Sequence, residues 1–297
     1  MAALTTGSLT IPKQLLEPWV NNIHKGSTIS QLSGSIPMKF GAGEAFVFDS
    51  GEAEYVGEGA NKSSNDVTKT TQTVEPFKFQ KTIRFTNEVQ WADEDHQLGV
   101  IQEILNQIQP ALSRALDYGV IHGINPKTGA VVSAMQRLTS ATTSVELAAA
   151  DAPYVSTDAA VAALLAADGV PNGIAMDPKF AAKISGQRLP TGQKLYPDFT
   201  FSNESSNFES LRAATSKTVG ATGVLAVDTK LRAIVGDFSA IRWGVQRAIG
   251  LELIEFGDPD GNGDLKRNNQ VAFRAEVVYG WGIAEINRNF AKIVDLV

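Results

Sequence analysis

The stretch that most constrains the fold runs from Glu94 to His122. Asp93 or Asp95 can cap its start, because a carboxylate accepts the unpaired amides of a first helical turn, and Gly123 can end it. About 27 residues at a rise of 1.5 Å per residue make a helix of roughly 40 Å. Pro110 lies inside this stretch and predicts a kink. Apolar residues recur at steps of three and four and so share one helix face: Leu98, Ile101, Leu105, Ile108, Leu112, Leu116 and Val120.

Composition excludes several classes of protein. The 297-residue chain has no cysteine, so disulfides and thiolate metal sites are excluded, and we expect folding in a reducing compartment. A net charge of -6 argues against a protein that grips nucleic acid by neutralising phosphates. No apolar run approaches the roughly 20 residues that span a bilayer. The N-terminus also lacks the pattern of a signal peptide, so we expect a soluble protein.

Two segments before the helix cannot bury a core of their own. Residues 1–38 form a largely polar arm with a short amphipathic piece between Pro12 and Pro18. Residues 39–90 hold two strand patterns around a long hydrophilic tip, and the second strand pattern lies between Phe77 and Phe85. A hairpin of about 45 residues with a polar tip cannot satisfy itself against one domain. We therefore expect its partner to be another chain.

The rest of the chain shows the patterns of short strands and few helices. The Ala-, Ser- and Thr-rich run 139–157 is the candidate domain boundary before it. Helices are predicted at 157–167, with Thr157 at the cap, and at 179–184 after Asp177-Pro178. Residues 186–222 read as irregular. Because strands do not alternate regularly with helices, the class is α+β. Strands are predicted at 173–176, 223–227, 232–237, 240–243, 250–256, 270–279, 283–286 and 291–294.

The order of these parts resembles the major capsid protein of tailed phages, the Hong Kong ninety-seven fold. The resemblance implies a phage capsid fold with an N-terminal arm (1–38), an extended β-hairpin loop (39–90), a peripheral domain (91–152 and 248–297) built on a spine helix (94–122), and an axial domain (153–247). The matching pieces cover nearly the whole chain: Leu9-Thr-Ile-Pro12, Ile36-Pro-Met38, Glu54 to Ala60, Phe77 to Phe85, the long helix, Gly173 to Pro178, Val235 to Phe238, and Val271 to Ala275.

This resemblance implies a structural subunit rather than an enzyme. Copies would assemble into hexamers and pentamers of an icosahedral shell that encloses double-stranded DNA without sequence-specific binding. The protein would lie in the virion capsid after assembly in the host bacterial cytoplasm. Its partners would be further copies of itself, a separate scaffolding protein, a portal and a decoration protein, with no membrane. An encapsulin-like nanocompartment shell is the alternative with the same fold.

In that family the arm and the extended loop overlap neighbouring subunits. The candidate contact residues here are charged residues on the loop: Glu52, Glu54, Glu58, Lys62 and Lys69. Some members join a loop lysine to a neighbour's asparagine with the help of a glutamate. Lys62 or Lys69, with Asn268 or Asn269 and Glu276, would be the matching residues. The competing interpretation is that lysines on a polar loop are solvated charges.

The sharpest local pattern is Asp258-Pro-Asp-Gly-Asn-Gly-Asp264. Asp258, Asp260 and Asn262 stand at the first, third and fifth positions of a calcium loop, with Gly263 at the sixth and Asp264 as a further oxygen donor. The twelfth position holds Asn269 where a bidentate glutamate is expected. The alternative is a solvated turn, since turns favour these residue types. A calcium-binding β-rich monomer is therefore a hypothesis of another class; otherwise no cofactor is expected.

Histidines give no catalytic or metal-binding pattern. His24, His96 and His122 are far apart in the sequence, and no metal-ligand spacing links them. We expect structural roles for them, with His122 near the end of the long helix, where a cation suits the helix dipole.

Overall fold

The computed structural model describes residues 27–49, 55–58, 61, 64, 68–88, 100–147, 152–199 and 206–295. Its strands are β1 (Gly43–Asp49), β2 (Thr68–Thr86), β3 (Ser144–Glu146), β4 (Gly173–Met176), β5 (Ser206–Phe208), β6 (Leu211–Thr215), β7 (Leu231–Gly236), β8 (Ile241–Ile254), β9 (Gln270–Ile283) and β10 (Phe290–Val294). Its α-helices are α1 (Thr28–Leu32), α2 (Val100–Asp117), α3 (Pro153–Ala166), α4 (Pro178–Gly186) and α5 (Ile286–Asn289). A π-helical turn, Tyr118–His122, follows α2, and 3-10 turns lie at Leu138–Ser140 and Phe238–Ala240.

The strands form two sheets, as expected for an α+β protein. One has four antiparallel strands in the order β1-β2-β9-β8, and the other has six in the order β3-β10-β7-β4-β6-β5. In the six-stranded sheet β4 pairs parallel with β6, and β10 pairs parallel with β3. The expected boundary between residues 247 and 248 falls inside β8. The C-terminal strand β10 pairs with β7 and so joins the six-stranded sheet, although its residues were expected in the peripheral domain.

The long helix α2 buries the predicted apolar face. Ile108, Leu112 and Leu116 are almost fully buried, and Pro110 lies within the helix. The expected caps Asp93 and Asp95 lie outside the described residues. Gly123 ends the helical segment with φ 64°, as predicted, because glycine tolerates this left-handed conformation.

The last helical turn differs from the prediction because it is π-helical rather than α-helical. Gly119 lies in this turn against the indole of Trp281, and a Cβ at Gly119 would lie 2.6 Å from Cη2 of that ring. The turn therefore packs directly on β9, and a larger residue could not make the same approach.

Two hydrophobic clusters cover opposite faces of the six-stranded sheet. The central strand β4 shows this division, since Ala175 belongs to one cluster while Ile174 and Met176 belong to the other. The first cluster continues under the four-stranded sheet and α2, where Trp243 and Trp281 are buried. The second lies beneath α3 and α4. A continuous buried run such as β4 is typical of a strand covered on both faces.

Several predicted elements are corrected. Residues 223–227 form turns with an isolated bridge between Thr222 and Leu225, not a strand. β5 and β6 lie in the stretch that was expected to be irregular, because pairing with β4 compensates for the weak strand preference of alanine in β6. Thr157 does not cap α3: the helix begins at Pro153, and the Thr157 hydroxyl donates to the Pro153 carbonyl oxygen at 3.0 Å.

Three predicted strands are not separate elements in the structure. The separate strands expected at 240–243 and 250–256 are one strand, β8, with register shifts between Val245 and Arg247 and between Ile249 and Glu252. The strand expected at 283–286 is also absent as a separate element, since β9 runs through Gly280 to Ile283. The register shifts in β8 are bulges, which bend a strand without ending it.

Candidate functional site: a projecting ribbon, a buried carboxylate and an acidic turn

A two-stranded ribbon projects from the four-stranded sheet. The first part of β2, Thr68–Val74, pairs with β1, whereas the second part, Glu75–Thr86, pairs with β9. Seven residue pairs at about 3.3 Å per residue give the ribbon a length of roughly 20–25 Å. Among the described strands, none pairs with the outer edge of β1. Both predicted segments contain strands, but the predicted pairing is corrected: the stretch from Phe77 to Phe85 pairs with β9, and β1 pairs with Thr68–Val74, most of which was expected in the hydrophilic tip. Isolated two-stranded ribbons are marginally stable in water.

The candidate contact residues of the loop are placed only in part. Glu58 lies in an exposed turn, and the nearby Tyr55 is 92% exposed. Lys69 lies in β2 opposite Phe48. Glu52, Glu54 and Lys62 lie outside the described residues. Contact between these residues and a neighbouring subunit stays a prediction.

A fully buried carboxylate, Asp117, lies at the end of α2. It accepts hydrogen bonds from the Ser27 hydroxyl, from the Thr28 amide at 3.0 Å and the Thr28 hydroxyl at 2.9 Å, from the Ile29 amide at 3.2 Å, and from the Thr218 hydroxyl at 2.6 Å. All these donors are neutral groups, and they come from two separate parts of the chain, Ser27–Ile29 and Thr218. A carboxylate can stay buried when several donors replace its hydration.

His122 also contacts the loop that contains Thr218. Its Nε2 atom lies 3.0 Å from the carbonyl oxygen of Thr218 and 3.0 Å from that of Val219, so a protonated Nε2 donates to this loop. Burial lowers the pKa of His122, against the opposing effects of these carbonyl groups and of Asp117. Thr218 thus contacts both Asp117 and His122. We call Ser27, Thr28, Asp117, His122 and Thr218 the carboxylate junction.

Sequence reasoning did not single out Asp117. The available signal was a charged residue directly beside the apolar stripe, between Leu116 and Val120. That signal could not identify the donors, which are about 90 and 100 residues away in the chain.

The acidic turn between β8 and β9 surrounds an arginine side chain. Nη2 of Arg84 on β2 donates to Asp258 Oδ1 at 3.2 Å, to a carboxylate oxygen of Asp260 and to the Gly263 carbonyl oxygen at 2.9 Å. Its Nη1 donates to Gln270 Oε1 at 3.0 Å. A guanidinium therefore lies where the calcium hypothesis would place a metal ion.

The other predicted calcium ligands take separate roles. The Asp264 carboxylate accepts from the Arg267 amide at 2.8 Å, which closes a local turn. Asn269, at the twelfth position, donates to Glu88 Oε1 at 2.7 Å. Hydrogen bonds from Asn262 and then Arg84 lower the pKa of Asp260. Within the described residues, no cluster of three or more His, Asp or Glu side chains is arranged to hold a metal ion. Calcium binding stays a prediction.

The residues of the proposed crosslink are also placed in part. Glu276 is nearly buried on β9 and its carboxylate lies 2.7 Å from the Lys78 ammonium. Asn268 and Asn269 lie in the exposed connection that precedes β9. None of the described helices is long and apolar enough to cross a bilayer.

Known proteins match this chain in both sequence and structure. A family model described as the phage capsid family matches residues 7–288. A structure from Mycobacterium phage Ogopogo is 43% identical, covers 91% of this chain and 92% of its own, and superposes with a TM-score of 0.80. A structure from Gordonia phage Cozz is 30% identical, covers 91% and 87%, and has a TM-score of 0.75.

More distant structures share the fold alone. The capsid of a native GTA particle is 14% identical, covers 92% of this chain and 91% of its own, and has a TM-score of 0.56. No curated protein gave a match. A family match over nearly the whole chain, together with two phage structures at 30% identity or more, shows that the chain belongs to the phage capsid family as a major capsid structural subunit.

Proposed function

We propose that copies of this subunit form the hexamers and pentamers of an icosahedral shell around the double-stranded DNA of a tailed phage. The projecting ribbon carries this proposal. Its seven residue pairs extend beyond the part of β2 that pairs with β9, with Phe46 and Phe48 two residues apart on β1. The described part of the subunit adds no third strand to the ribbon, and such a ribbon gains stability when a second copy covers it.

The net negative charge of the chain is consistent with a shell that encloses DNA. A net charge of -6 does not supply the basic surface that phosphate neutralisation needs. The shell would therefore confine DNA without gripping it. Assembly would take place in the host cytoplasm, with a separate scaffolding protein, a portal and a decoration protein as further partners. Neither the nanocompartment shell nor the calcium-binding monomer is favoured by the family match.

Electron microscopy of the purified full-length chain, alone and with a co-expressed scaffold candidate, tests the proposal. We expect shells, or rings of five or six subunits. The nanocompartment alternative would instead give shells that hold a protein cargo. A chain that stays monomeric with every scaffold candidate would contradict the proposed function.

A shortened ribbon tests its role in assembly. Replacing residues 45–72 by Asn-Gly keeps the Glu44–Thr73 pair next to a turn that suits a two-residue hairpin. We expect a folded subunit that forms no stable shells. Folding is checked by the near-ultraviolet circular dichroism of the buried Trp243, Trp281 and Tyr279, which lie away from the replaced residues. Normal particles from this variant would remove the ribbon from the assembly mechanism.

A further inference from the structure

We propose that residues 27–41, which we call the strap, couple the carboxylate junction to the position of the ribbon. The strap runs from Ser27, the first described residue, to Gly41, and β1 begins two residues later at Gly43. It crosses the edge of β8 on the way. The coupling is a property of the single subunit, and it gives the proposed assembly contacts of the ribbon a means of control from the N-terminal side.

The first anchor of the strap is Asp117. The carboxylate holds the backbone amides of Thr28 and Ile29 at 3.0 and 3.2 Å, at the start of α1. These bonds fix the backbone itself and not only side chains. The start of the strap is therefore tied to the end of α2.

The second anchor is the edge of β8. The Ser33 hydroxyl donates to the Ile241 carbonyl oxygen at 2.9 Å, and the Ile36 amide donates to the Trp243 carbonyl oxygen at 2.9 Å. The strap lies so close to this edge that a Cβ at Gly244 would be 2.2 Å from the Ile36 carbonyl oxygen. Glycine at position 244 therefore allows the strap to lie directly against β8.

The third anchor is a reciprocal pair of hydrogen bonds. The Gly41 amide donates to Gln246 Oε1 at 2.9 Å, and Gln246 Nε2 donates to the Gly41 carbonyl oxygen at 2.9 Å. Gly41 has φ 125°, a conformation that glycine adopts readily. β1 begins two residues later. The ribbon therefore starts from a backbone point that is fixed on β8.

These anchors leave little free chain between the junction and the ribbon. Three residues lie between Ile29 and Ser33, two between Ser33 and Ile36, and four between Ile36 and Gly41. Extended chain spans at most about 3.3–3.6 Å per residue. Because the anchors follow one another so closely, a displacement of Thr28 and Ile29 is passed along the strap through Ser33 and Ile36 to Gly41, and so to the first residues of β1. The ribbon then loses its fixed angle to the sheet.

A distance between two spin labels tests the coupling on the unassembled full-length chain. Since the chain has no cysteine, Thr70→Cys on the ribbon and the exposed Lys127→Cys introduce a unique pair of labels. We expect a narrow distance distribution in this background. Asp117→Asn, which weakens the first anchor, should shift or widen the distribution. Ser113→Ala is the matched control, because this buried hydroxyl one turn earlier has no hydrogen-bond partner among the residues that the structure describes.

A second pair of variants disturbs the strap from the β8 side. Gly244→Ala places a methyl group against the Ile36 carbonyl oxygen, so we expect the same widening with the carboxylate junction intact. Gly34→Ala is its control, because a Cβ at that strap position meets no atom of the described residues within 4 Å.

An unchanged label distance in both Asp117→Asn and Gly244→Ala, with folding intact by circular dichroism, would overturn the coupling. The same result would leave shell formation by the unmodified chain untouched, so the two proposals fail separately. A wider distribution in Gly34→Ala to the same extent would also overturn it, since the strap would then not act through its anchors.

Discussion

The backbone amide of Thr28 donates to the carboxylate of Asp117 at 3.0 Å, although 89 residues separate the two in the chain. This bond joins the segment that precedes the ribbon to the end of the long helix. The Thr218 hydroxyl adds the loop beyond β6 to the same carboxylate. The Asp117 carboxylate thus holds three chain segments together: its own, the one that begins at Ser27, and the loop with Thr218. An arrangement without these donors would be unfavourable, because a buried charge without hydrogen bonds is costly.

Asp117→Asn should destabilise the subunit. An amide has one oxygen and one donating nitrogen, so several of the donors around residue 117 lose their acceptor. Bonds to charged groups contribute about 1.5–3 kcal/mol each, and we expect a loss of about 2–4 kcal/mol in the free energy of unfolding. Urea denaturation of the unassembled chain measures it, with Ser113→Ala as the control. A loss below 1 kcal/mol would show that the carboxylate is not essential to the junction.

The stability of the subunit should fall as the pH falls from about 7 to 5, in part because of His122. Burial lowers the pKa of this histidine in the fold, whereas in the unfolded chain the ring takes up a proton near pH 6.5. The unfolded state then binds more protons, which reduces the free energy of unfolding. His122→Gln keeps a donor for the Thr218 carbonyl but removes the titration. We expect a flatter pH dependence in this variant by urea denaturation, and equal slopes would contradict the prediction.

Arg84→Ala should loosen the turn between β8 and β9. The guanidinium holds two carboxylates and the Gly263 carbonyl oxygen together, and without it Asp258 and Asp260 repel each other. We expect a melting temperature lower by about 2–4 °C, a shift typical of a modest loss of stability. Arg242→Ala, which removes an exposed arginine from β8, should leave the melting temperature unchanged. Equal effects from the two variants would contradict a specific role for Arg84.

Calcium should bind the acidic turn better when Arg84 is absent. In the unmodified chain a calcium ion would have to displace the guanidinium from Asp258 and Asp260. The bidentate glutamate of a calcium loop is missing, so we expect weak affinity, with a dissociation constant of about 1 mM in Arg84→Ala. Calorimetric titration of both proteins with calcium chloride measures it. Equal or tighter binding to the unmodified chain would show that Arg84 does not compete for the site.

Gly119→Ala should disrupt the π-helical turn. A Cβ there would lie 2.6 Å from the buried indole of Trp281, so either the helix or the ring must move, at a cost of about 1–3 kcal/mol. Gly186→Ala, at the end of α4 with open space around it, is the control and should be neutral or slightly stabilising. Urea denaturation measures the free energy of unfolding of both variants. Similar stabilities for the two variants would argue against this close packing.

Patterns within short windows were sufficient for many elements. The three- and four-residue steps around Leu112 predicted the long helix because one face of it is buried. The apolar run Gly173–Met176 predicted β4 because that strand is covered on both faces. The strand pattern between Phe77 and Phe85 also followed from the sequence, although its pairing with β9 did not. The resemblance to the capsid family is confirmed by the comparisons.

The sequence by itself determined where apolar surface must be buried, because the periods of helix and strand are local properties of the chain. Tertiary structure decided which distant groups satisfy each charge. Asp258 and Asp260 have the spacing of metal ligands, yet Arg84 enters from another strand and lies between them. Asp117 shows no local sign of its donors, and Leu211–Thr215 becomes a strand because β4 lies beside it. Hydrogen bonds and ion pairs between segments depend on the packing that brings them together, and no short window of sequence contains that packing.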